Sequence, residues 1–258
     1  MKKGLPYLFA ILPFLLLAQD RSLFKKQKFI AKRDTLPYRI LFPKGYDSSK
    51  EYPLVLFLHG AGERGNDNES QLQWGADLFL ENRERHPAIV VFPQCAKDDY
   101  WAKIKYREKK KIGKRFKYPL NLGRPTRSFH LASLLLHKLI REEAVDPKRI
   151  YVAGLSMGGM GTFEMLARYP KRFAAAIPIC GGGNPNHTFY YAKNTDIWIF
   201  HGEKDPVVGV RHSRRMAKQL KRFKADVKYT EYEGVDHLSW VPAFEEPDFL
   251  EWLFSKSL

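Results

Sequence analysis

The stretch Ile150-Tyr-Val-Ala-Gly-Leu-Ser-Met-Gly-Gly-Met-Gly161 decides the fold of this chain. It begins as a short apolar run typical of a buried strand and passes through Gly154-x-Ser156-x-Gly158. It continues into residues 162–169, a helix-compatible segment without Gly or Pro. A strand, a sharp turn and a helix around a Gly-x-Ser-x-Gly sequence predict a nucleophile elbow.

The chemistry of a serine nucleophile explains the glycines. A hydroxyl attacks poorly unless it is lifted towards a base, and the strained turn that lifts it leaves no room for side chains two residues to either side. Ser156 is therefore the predicted nucleophile. The same turn places the backbone N–H of Met157 at the start of the following helix, where it can donate to a developing oxyanion.

The N-terminus has the pattern of a secretory signal peptide. Met1-Lys-Lys3 precedes an almost wholly apolar run at 5–17, which ends in Ala18 before a polar start. The run is shorter than the roughly 20 residues that a spanning helix needs, and two prolines interrupt it, so a membrane anchor is disfavoured. We expect a signal peptide at 1–18, one catalytic domain at 19–258, and a secreted or periplasmic protein.

Charge and cysteine positions bear on two possibilities, a nucleic-acid partner and a disulfide bond. The net charge is +16, but no zinc-ligand spacing, helix-turn-helix or RNA-binding signature accompanies it, so we predict no nucleic-acid partner. The two cysteines, Cys95 and Cys180, each end a predicted strand. In the expected sheet order two other strands separate them, which puts them beyond disulfide reach, and we predict separate thiols.

Strands and helices alternate along the rest of the chain. Predicted strands cover 27–31, 38–42, 52–58, 88–92, 174–179, 197–200 and 227–232, and predicted helices cover 71–83, 128–143, 209–223 and 246–254. The first two strands form an expected hairpin at the sheet edge. This order predicts an α/β fold with a mostly parallel central sheet and helices on both faces.

The strand 52–58 runs into His59-Gly-Ala-Gly-Glu-Arg-Gly65, a glycine-rich loop. A loop of this kind supplies the second oxyanion donor in folds with a nucleophile elbow. The backbone N–H of Ala61 is the first candidate and that of Gly62 the second. His59 lies at a strand end before the nucleophile, which suits bracing of the loop better than base catalysis.

A serine nucleophile also needs an acid and a base, which follow it in the order Asp or Glu, then His. Asp205 and Glu203 lie in the loop after the strand 197–200, and His237 lies in the loop after the next strand. Asp205 is preferred over Glu203 because Pro206 stiffens its loop. His212 falls within a predicted basic helix, so His237 is the predicted base.

Residues 101–120 form a basic stretch interleaved with aromatic residues, and its alternation predicts a hairpin that turns near Gly113. It follows the strand that ends at Phe92, so we expect it beside the catalytic mouth, where it would favour acidic substrates. The alternative is a solvated hairpin that its lysines keep soluble. Trp101 and Trp240 are the predicted substrate-binding residues.

Together these motifs resemble the α/β-hydrolase esterases of the group that includes polyhydroxybutyrate-depolymerase-like proteins, feruloyl and acetyl-xylan esterases and predicted peptidases. The matching motifs are Leu58-His-Gly-Ala-Gly-Glu-Arg-Gly65, Pro93-Gln-Cys95, Gly154-Leu-Ser-Met-Gly-Gly159, His201-Gly-Glu-Lys-Asp205, His237 and Trp252. They keep their order over most of the chain after residue 36. The basic stretch at 101–120 is longer than the resemblance implies.

The leading hypothesis is a secreted carboxylesterase that uses Ser156, Asp205 and His237 through an acyl-enzyme and needs neither metal nor cofactor. The substrate would be a small-molecule or polysaccharide ester. A serine peptidase is the alternative enzyme, although peptidases of this fold usually carry a large gating domain. A non-catalytic binder of anionic glycans is the alternative from another class. The sequence leaves the oligomeric state open.

Overall fold

The strand that leads to Ser156 lies at the centre of a twisted sheet in the computed structural model, which describes residues 20–109 and 113–258. Within these ranges the sheet has eight strands in the order β1-β2-β4-β3-β7-β8-β9-β10. The strands are β1 Lys25–Ala31, β2 Asp34–Leu41, β3 Tyr52–Leu58, β4 Ile89–Pro93, β7 Val145–Leu155, β8 Ala175–Ile179, β9 Asp196–Gly202 and β10 Val227–Tyr232. The predicted signal peptide at 1–18 lies outside the described residues.

The pairing of the strands explains where the site forms. β2 pairs antiparallel with β1 and β4, and every other pair in this sheet is parallel. The parallel strands therefore bring their carboxyl ends to one edge, which is where sites of open α/β sheets gather. The predicted fold class and edge hairpin are confirmed, and the structure has the α/β-hydrolase fold.

Strand β3 shows why the sheet is buried on both faces. All of its seven side chains are buried, and alternate residues belong to opposite layers. Leu54, Leu56 and Leu58 pack with one core cluster, whereas Val55 and Phe57 pack with the other. This alternation requires an apolar residue at every position, which is the pattern seen in the sequence.

Helices cover both faces of the sheet. They are α1 Ala76–Glu81, α2 Arg127–Glu142, α3 Met157–Arg168, α4 Thr188–Tyr191, α5 Arg211–Arg222, α6 Trp240–Phe244 and α7 Phe249–Phe254. Buried side chains of α2, α3 and α5 belong to the cluster around Leu56. Those of α1, α6 and α7 belong to the cluster around Phe57.

The predicted helix at 71–83 is wrong in its extent. A 3₁₀ turn at Ser70–Leu72 and the short α1 replace it, and Gly75 separates them at φ 82°. A Cβ at Gly75 would lie 2.8 Å from Cζ of Phe57, so this residue lets the chain turn against the core. The predicted helix at 246–254 is likewise shorter, because α7 begins only at Phe249.

The basic stretch forms the predicted hairpin. β5 Lys105–Lys109 pairs antiparallel with β6 Gly113–Lys117. Residues 110–112 lie outside the described part of the chain. The two cysteines also lie where the sequence predicts, because β3 and β7 separate the strands that they end, and both are free and buried. Over the described ranges, no helix has the length and apolar character to cross a membrane.

Candidate active site

Ser156 lies at a sharp turn between β7 and α3. Its backbone has φ 53° and ψ −113°, a conformation that residues other than Gly rarely adopt. A Cβ at Gly158 would lie 1.8 Å from the carbonyl oxygen of Leu58, and one at Gly154 would lie 2.6 Å from the carbonyl carbon of Gly158. The elbow therefore presses directly on the end of β3, and both glycines are required by contact with backbone.

The structure brings Ser156, His237 and Asp205 together. The Ser156 Oγ lies 2.9 Å from Nε2 of His237, and Nδ1 of the same ring lies 2.7 Å from Oδ2 of Asp205. An ionised carboxylate only accepts hydrogen bonds, so Nδ1 carries the proton and Nε2 is free to accept from the serine hydroxyl. This is the tautomer that a general base needs.

Asp205 is buried and receives four hydrogen bonds. Oδ2 accepts from His237 and, at 3.1 Å, from Nε2 of His201, while Oδ1 accepts from the backbone N–H groups of Val207 and Val208 at 2.8 Å each. Burial alone would raise the pKa of Asp205. The hydrogen bonds from His201 and His237, and then the charge of His237, outweigh burial and hold the pKa well below its usual range.

The competing acids face elsewhere. Oε2 of Glu203 accepts the backbone N–H of Gly234 at 3.0 Å and braces the loop that carries His237. Asp236 accepts the backbone N–H of Leu238 at 2.9 Å. Neither carboxylate hydrogen-bonds to His237 in the described part of the chain. The geometry thus agrees with the preference for Asp205, whose catalytic role is taken up below.

His201 is a neighbour of the triad that the sequence places in a matching motif but to which it assigns no role. Its ring has no exposed surface, and its Nε2 also lies 2.7 Å from the carbonyl oxygen of Val208. Its Nδ1 lies 2.7 Å from Oγ of Ser213, a residue of α5. The signal in the sequence was the position of His201 at the end of β9, four residues before Asp205, but its partner in α5 is not readable from spacing.

The predicted oxyanion donors lie around the elbow. Met157 is the first residue of α3, and the loop at 59–62 follows the end of β3, against which Gly158 packs. Within the described ranges, the amides of Ala61, Gly62 and Met157 donate to no protein acceptor. Free amides next to the nucleophile suit an oxyanion hole.

His59 braces this loop from a buried position. Its Nε2 accepts the backbone N–H of Cys95 at 2.9 Å, so the proton lies on Nδ1, which donates to the Gly60 carbonyl oxygen at 2.6 Å. That bond fixes the peptide between Gly60 and Ala61 and therefore the direction of the Ala61 N–H. Burial lowers the pKa of His59 to about 4, which keeps the ring neutral.

Trp101, a predicted substrate-binding residue, is enclosed by the protein and offers its indole no exposed surface for a substrate. The side chain is 0% exposed, its Nε1 donates to the His59 carbonyl oxygen at 3.1 Å, and its ring packs edge-on against the His59 ring. A Cβ at Gly161 would lie 2.5 Å from Cβ of Trp101. Trp101 is therefore buried between His59, at the start of the glycine-rich loop, and α3, and it packs against both.

Trp240 lies beside the triad. Its ring packs edge-to-face on His237, with centroids 5.3 Å apart, and on Trp74 at 5.6 Å. The side chain is buried, and its Nε1 has no partner within the described structure. Trp240 thus holds the imidazole ring in place, while its contact with substrate stays a prediction.

One group of possible metal ligands, among the residues described, surrounds the triad. Ligand atoms of Cys180, Asp205 and His237 lie within 4.8 Å of one another. Asp205 and His237 are already hydrogen-bonded to each other, and burial raises the pKa of the Cys180 thiol, which disfavours the thiolate that binds metals. The prediction that no metal or cofactor takes part stays a prediction.

Known proteins share this fold. Residues 125–250 match the family model described as Phospholipase/Carboxylesterase. A solved thermostable esterase is 38% identical, with a TM-score of 0.81 over 92% of this chain and 64% of its own. A ferulic acid esterase from Anaeromyces mucronatus, 17% identical, has a TM-score of 0.62 over 90% of both chains.

Curated relatives point in the same direction. The chain is 31% identical to a poly(3-hydroxyalkanoate) depolymerase of Paucimonas lemoignei over 71% of this chain and 46% of the relative. It is 25% identical to an acyl-protein thioesterase of Gibberella zeae over 85% of this chain and 95% of the relative. It matches a bifunctional acetylxylan esterase/xylanase of Neocallimastix patriciarum at 24% identity over 66% of this chain, and spans only 22% of that protein.

Fold, elbow and relatives agree on one class: the chain has the α/β-hydrolase fold, and just under half of it matches the phospholipase/carboxylesterase model. The proteins that it resembles include feruloyl and acetylxylan esterases and a polyhydroxyalkanoate depolymerase.

Proposed function

We propose that this protein is a secreted serine carboxylic ester hydrolase that acts through an acyl-enzyme on acyl or feruloyl esters of plant polysaccharides. The single observation that carries the proposal is the hydrogen-bonded series from Ser156 through His237 to Asp205, built on a strained elbow. The carboxylesterase-type family match and the feruloyl and acetylxylan esterase relatives support the reaction class.

In the first half-reaction, the Ser156 Oγ attacks the ester carbonyl carbon while Nε2 of His237 takes the hydroxyl proton. The amides of Met157 and Ala61 stabilise the oxyanion, with Gly62 the second candidate for the loop donor. Collapse breaks the bond to the alkoxy oxygen, and the imidazolium returns its proton to the leaving alcohol. Asp205 stabilises the imidazolium throughout, and its low pKa keeps it ionised.

In the second half-reaction, water takes the place of the alcohol. His237 removes a proton from the water, whose oxygen attacks the acyl carbon, and the proton passes to Oγ of Ser156 as the acid leaves. The enzyme returns to its starting state without any redox partner or metal, because each proton moves between the substrate, water and the two side chains.

A cavity of about 360 Å³ next to Ala61 has room for part of the substrate. Its volume lies within the range of small-molecule sites, about 300 to 1,000 Å³. Tyr100, Ile104 and Phe116 supply apolar surface, and Arg64 supplies a cation held over the Tyr100 ring, 5.6 Å from its centroid. An aromatic or short acyl group suits this lining.

The test is a substrate panel run with matched variants. We expect turnover of p-nitrophenyl acetate, methyl ferulate or acetylated xylan by the wild type, and losses on the order of 10⁴- to 10⁶-fold for Ser156→Ala and His237→Ala. Asp205→Asn should cost less, and Glu203→Gln far less again. Cleavage of peptides with no ester turnover would instead support a peptidase, and a silent Asp205→Asn beside a severe Glu203→Gln would overturn the acid assignment.

A further inference from the structure

A second cleft lies beside the active site, between the base of the β5–β6 hairpin and the first turns of α5. Its volume is about 280 Å³, and Lys117, Tyr118, His212 and Arg215 line it. The proposed reaction uses none of these residues. The cleft joins segments that lie almost a hundred residues apart in the sequence.

The cleft shares a loop with the nucleophile elbow. This loop, residues 181–183, follows β8 at the carboxyl edge of the sheet. Gly181 lies against Gly159 of α3, where an added Cβ would be 2.5 Å from the Gly159 carbonyl carbon. One residue on, a Cβ at Gly182 would lie 2.6 Å from the Tyr118 hydroxyl and 2.7 Å from Cβ of His212. A ligand in the cleft would therefore lie next to the elbow.

Two buried polar atoms of residues that line the cleft have no protein partner among the described residues. They are Nε2 of His212, whose side chain is only 7% exposed, and the hydroxyl of Tyr118. Buried polar atoms are nearly always hydrogen-bonded, so two unpartnered ones on residues that line the same cleft point to a ligand that reaches them when the side chains move. Burial and then the charges of Arg211 and Arg215 lower the pKa of His212 to about 4, so the ring is neutral.

The charges at the cleft are uncompensated. Lys117 and Arg215 form no ion pair with an acidic side chain within the described structure. Six residues of α5 are exposed cations, and the helix contains no acid: Arg211, Arg214, Arg215, Lys218, Lys221 and Arg222. Of these six, Arg214 pairs with Glu231. Residues three and four apart share a helix face, so the cations form a stripe about 16 Å long that begins at the cleft.

Exposed aromatic rings lie at the far end of this stripe. Phe189 and Tyr190 are 67% and 54% exposed, and the Phe189 ring lies 5.6 Å from the ring of Phe223, which directly follows α5. Large exposed apolar side chains that cluster mark interaction surfaces. Flat rings next to cations suit a partner that alternates apolar ring faces with negative charge.

We propose that the cleft and the α5 stripe bind an acidic polysaccharide, in which carboxylates of uronate sugars face Lys117 and Arg215 and a sugar hydroxyl meets His212 and Tyr118. The inference rests on the proposed function in one respect: the polymer would carry the ester that Ser156 cleaves. A polyanion attracted to this stripe would arrive faster at low salt, because dissolved ions screen exposed charges.

The test is direct binding of oligogalacturonate, measured by calorimetry on Ser156→Ala protein, with xylo-oligosaccharide as the neutral ligand. We expect oligogalacturonate to bind more tightly, to weaken with added salt, and to lose about tenfold in affinity in Arg215→Gln and again in Lys117→Gln. Tyr118→Phe, which removes only the hydroxyl, should lose about fivefold. Melting temperatures establish that each variant is folded.

The matched control is the pair Lys50→Gln and Lys148→Gln, two exposed cations near the starts of β3 and β7, at the opposite edge of the sheet. This pair should leave the affinity unchanged. Equal losses in the control and cleft variants, or no binding at all, would overturn the inference. Oligothymidylate of equal charge serves as a second ligand. If it binds as tightly as oligogalacturonate and loses the same affinity in Tyr118→Phe, the acidic-polysaccharide proposal is overturned in favour of nucleic acid.

Binding and turnover separate the two proposals. Ester hydrolysis without oligogalacturonate binding would contradict the proposed polysaccharide binding and leave the proposed esterase activity supported. Oligogalacturonate binding that responds to the cleft variants, in a protein whose Ser156 is inert towards every ester, would support the cleft and contradict the esterase.

Discussion

Nε2 of His201 lies 3.1 Å from Oδ2 of Asp205, the same oxygen that accepts the hydrogen bond from His237. The two side chains have no exposed surface. His201 is in turn held by Ser213 of α5. The acid of the proposed triad is therefore anchored from the core of the protein as well as by the base that it orients.

We predict that His201 is a positioning residue for Asp205. His201→Phe removes the donor, so the carboxylate loses one of its restraints, and kcat should fall about 10- to 100-fold with little change in KM. His201→Gln, which keeps a donor, should restore part of kcat, and Ser213→Ala should give a smaller loss. Steady-state kinetics on folded variants measure this, and an unchanged kcat in His201→Phe would contradict the role.

A second prediction concerns the elbow. Gly158→Ala would place a methyl group 1.8 Å from the Leu58 carbonyl oxygen, so β3 and α3 must separate. We expect a loss of at least about 3 kcal/mol in the free energy of unfolding, or no soluble protein. Gly209→Ala is the control, because a Cβ there meets nothing within 4 Å. Urea unfolding measures the stability of both variants. Equal stabilities would contradict the close contact between Gly158 and Leu58.

Stability should also depend on pH through His212. Its pKa is lowered to about 4 in the folded chain, whereas in the unfolded chain it is near 6.5, so the unfolded state binds the extra proton between these values. Stability from this group is therefore present above pH 6.5 and lost as the pH falls towards 4. Between pH 6.5 and 5 the wild type should lose up to about 2 kcal/mol more than His212→Gln. Urea midpoints at both pH values test this, and parallel losses would contradict it.

Chelation should leave activity intact. The proposed steps move protons among Ser156, His237, the substrate and water, and stabilise negative charge with backbone amides, so no step calls for a metal ion. Ester turnover after dialysis against EDTA should match that of untreated protein. A loss that a divalent ion restores would count against the serine mechanism.

Much of the fold could be predicted because its signals are local. The unbroken apolar run of β3 and the glycines around Ser156 each follow from contacts within one short segment and its neighbour. Asp205 was preferred over Glu203 because Pro206 follows it directly, and His237 over His212 because His237 lies in the exit loop of a strand whereas His212 lies in a helix.

The features of the fold and the site that the sequence did not predict depend on contacts between distant segments. The sequence shows that Trp101 is aromatic but not that α3 and His59 enclose it, so its burial was not predictable. The break at Gly75 depends on the position of Phe57 in the core. The cleft at His212 exists only because the hairpin folds back onto α5, more than ninety residues further along the chain.

The most direct measurement is covalent labelling by a fluorophosphonate, followed by mass spectrometry of the labelled peptide. If Ser156 is the nucleophile that His237 activates, wild-type protein takes up one probe on the peptide that contains Ser156 and loses its ester turnover. Ser156→Ala should take up none, and His237→Ala should label at least about 10³-fold more slowly. An unlabelled Ser156 in a protein that still hydrolyses esters, or full turnover by Ser156→Ala, would contradict the account.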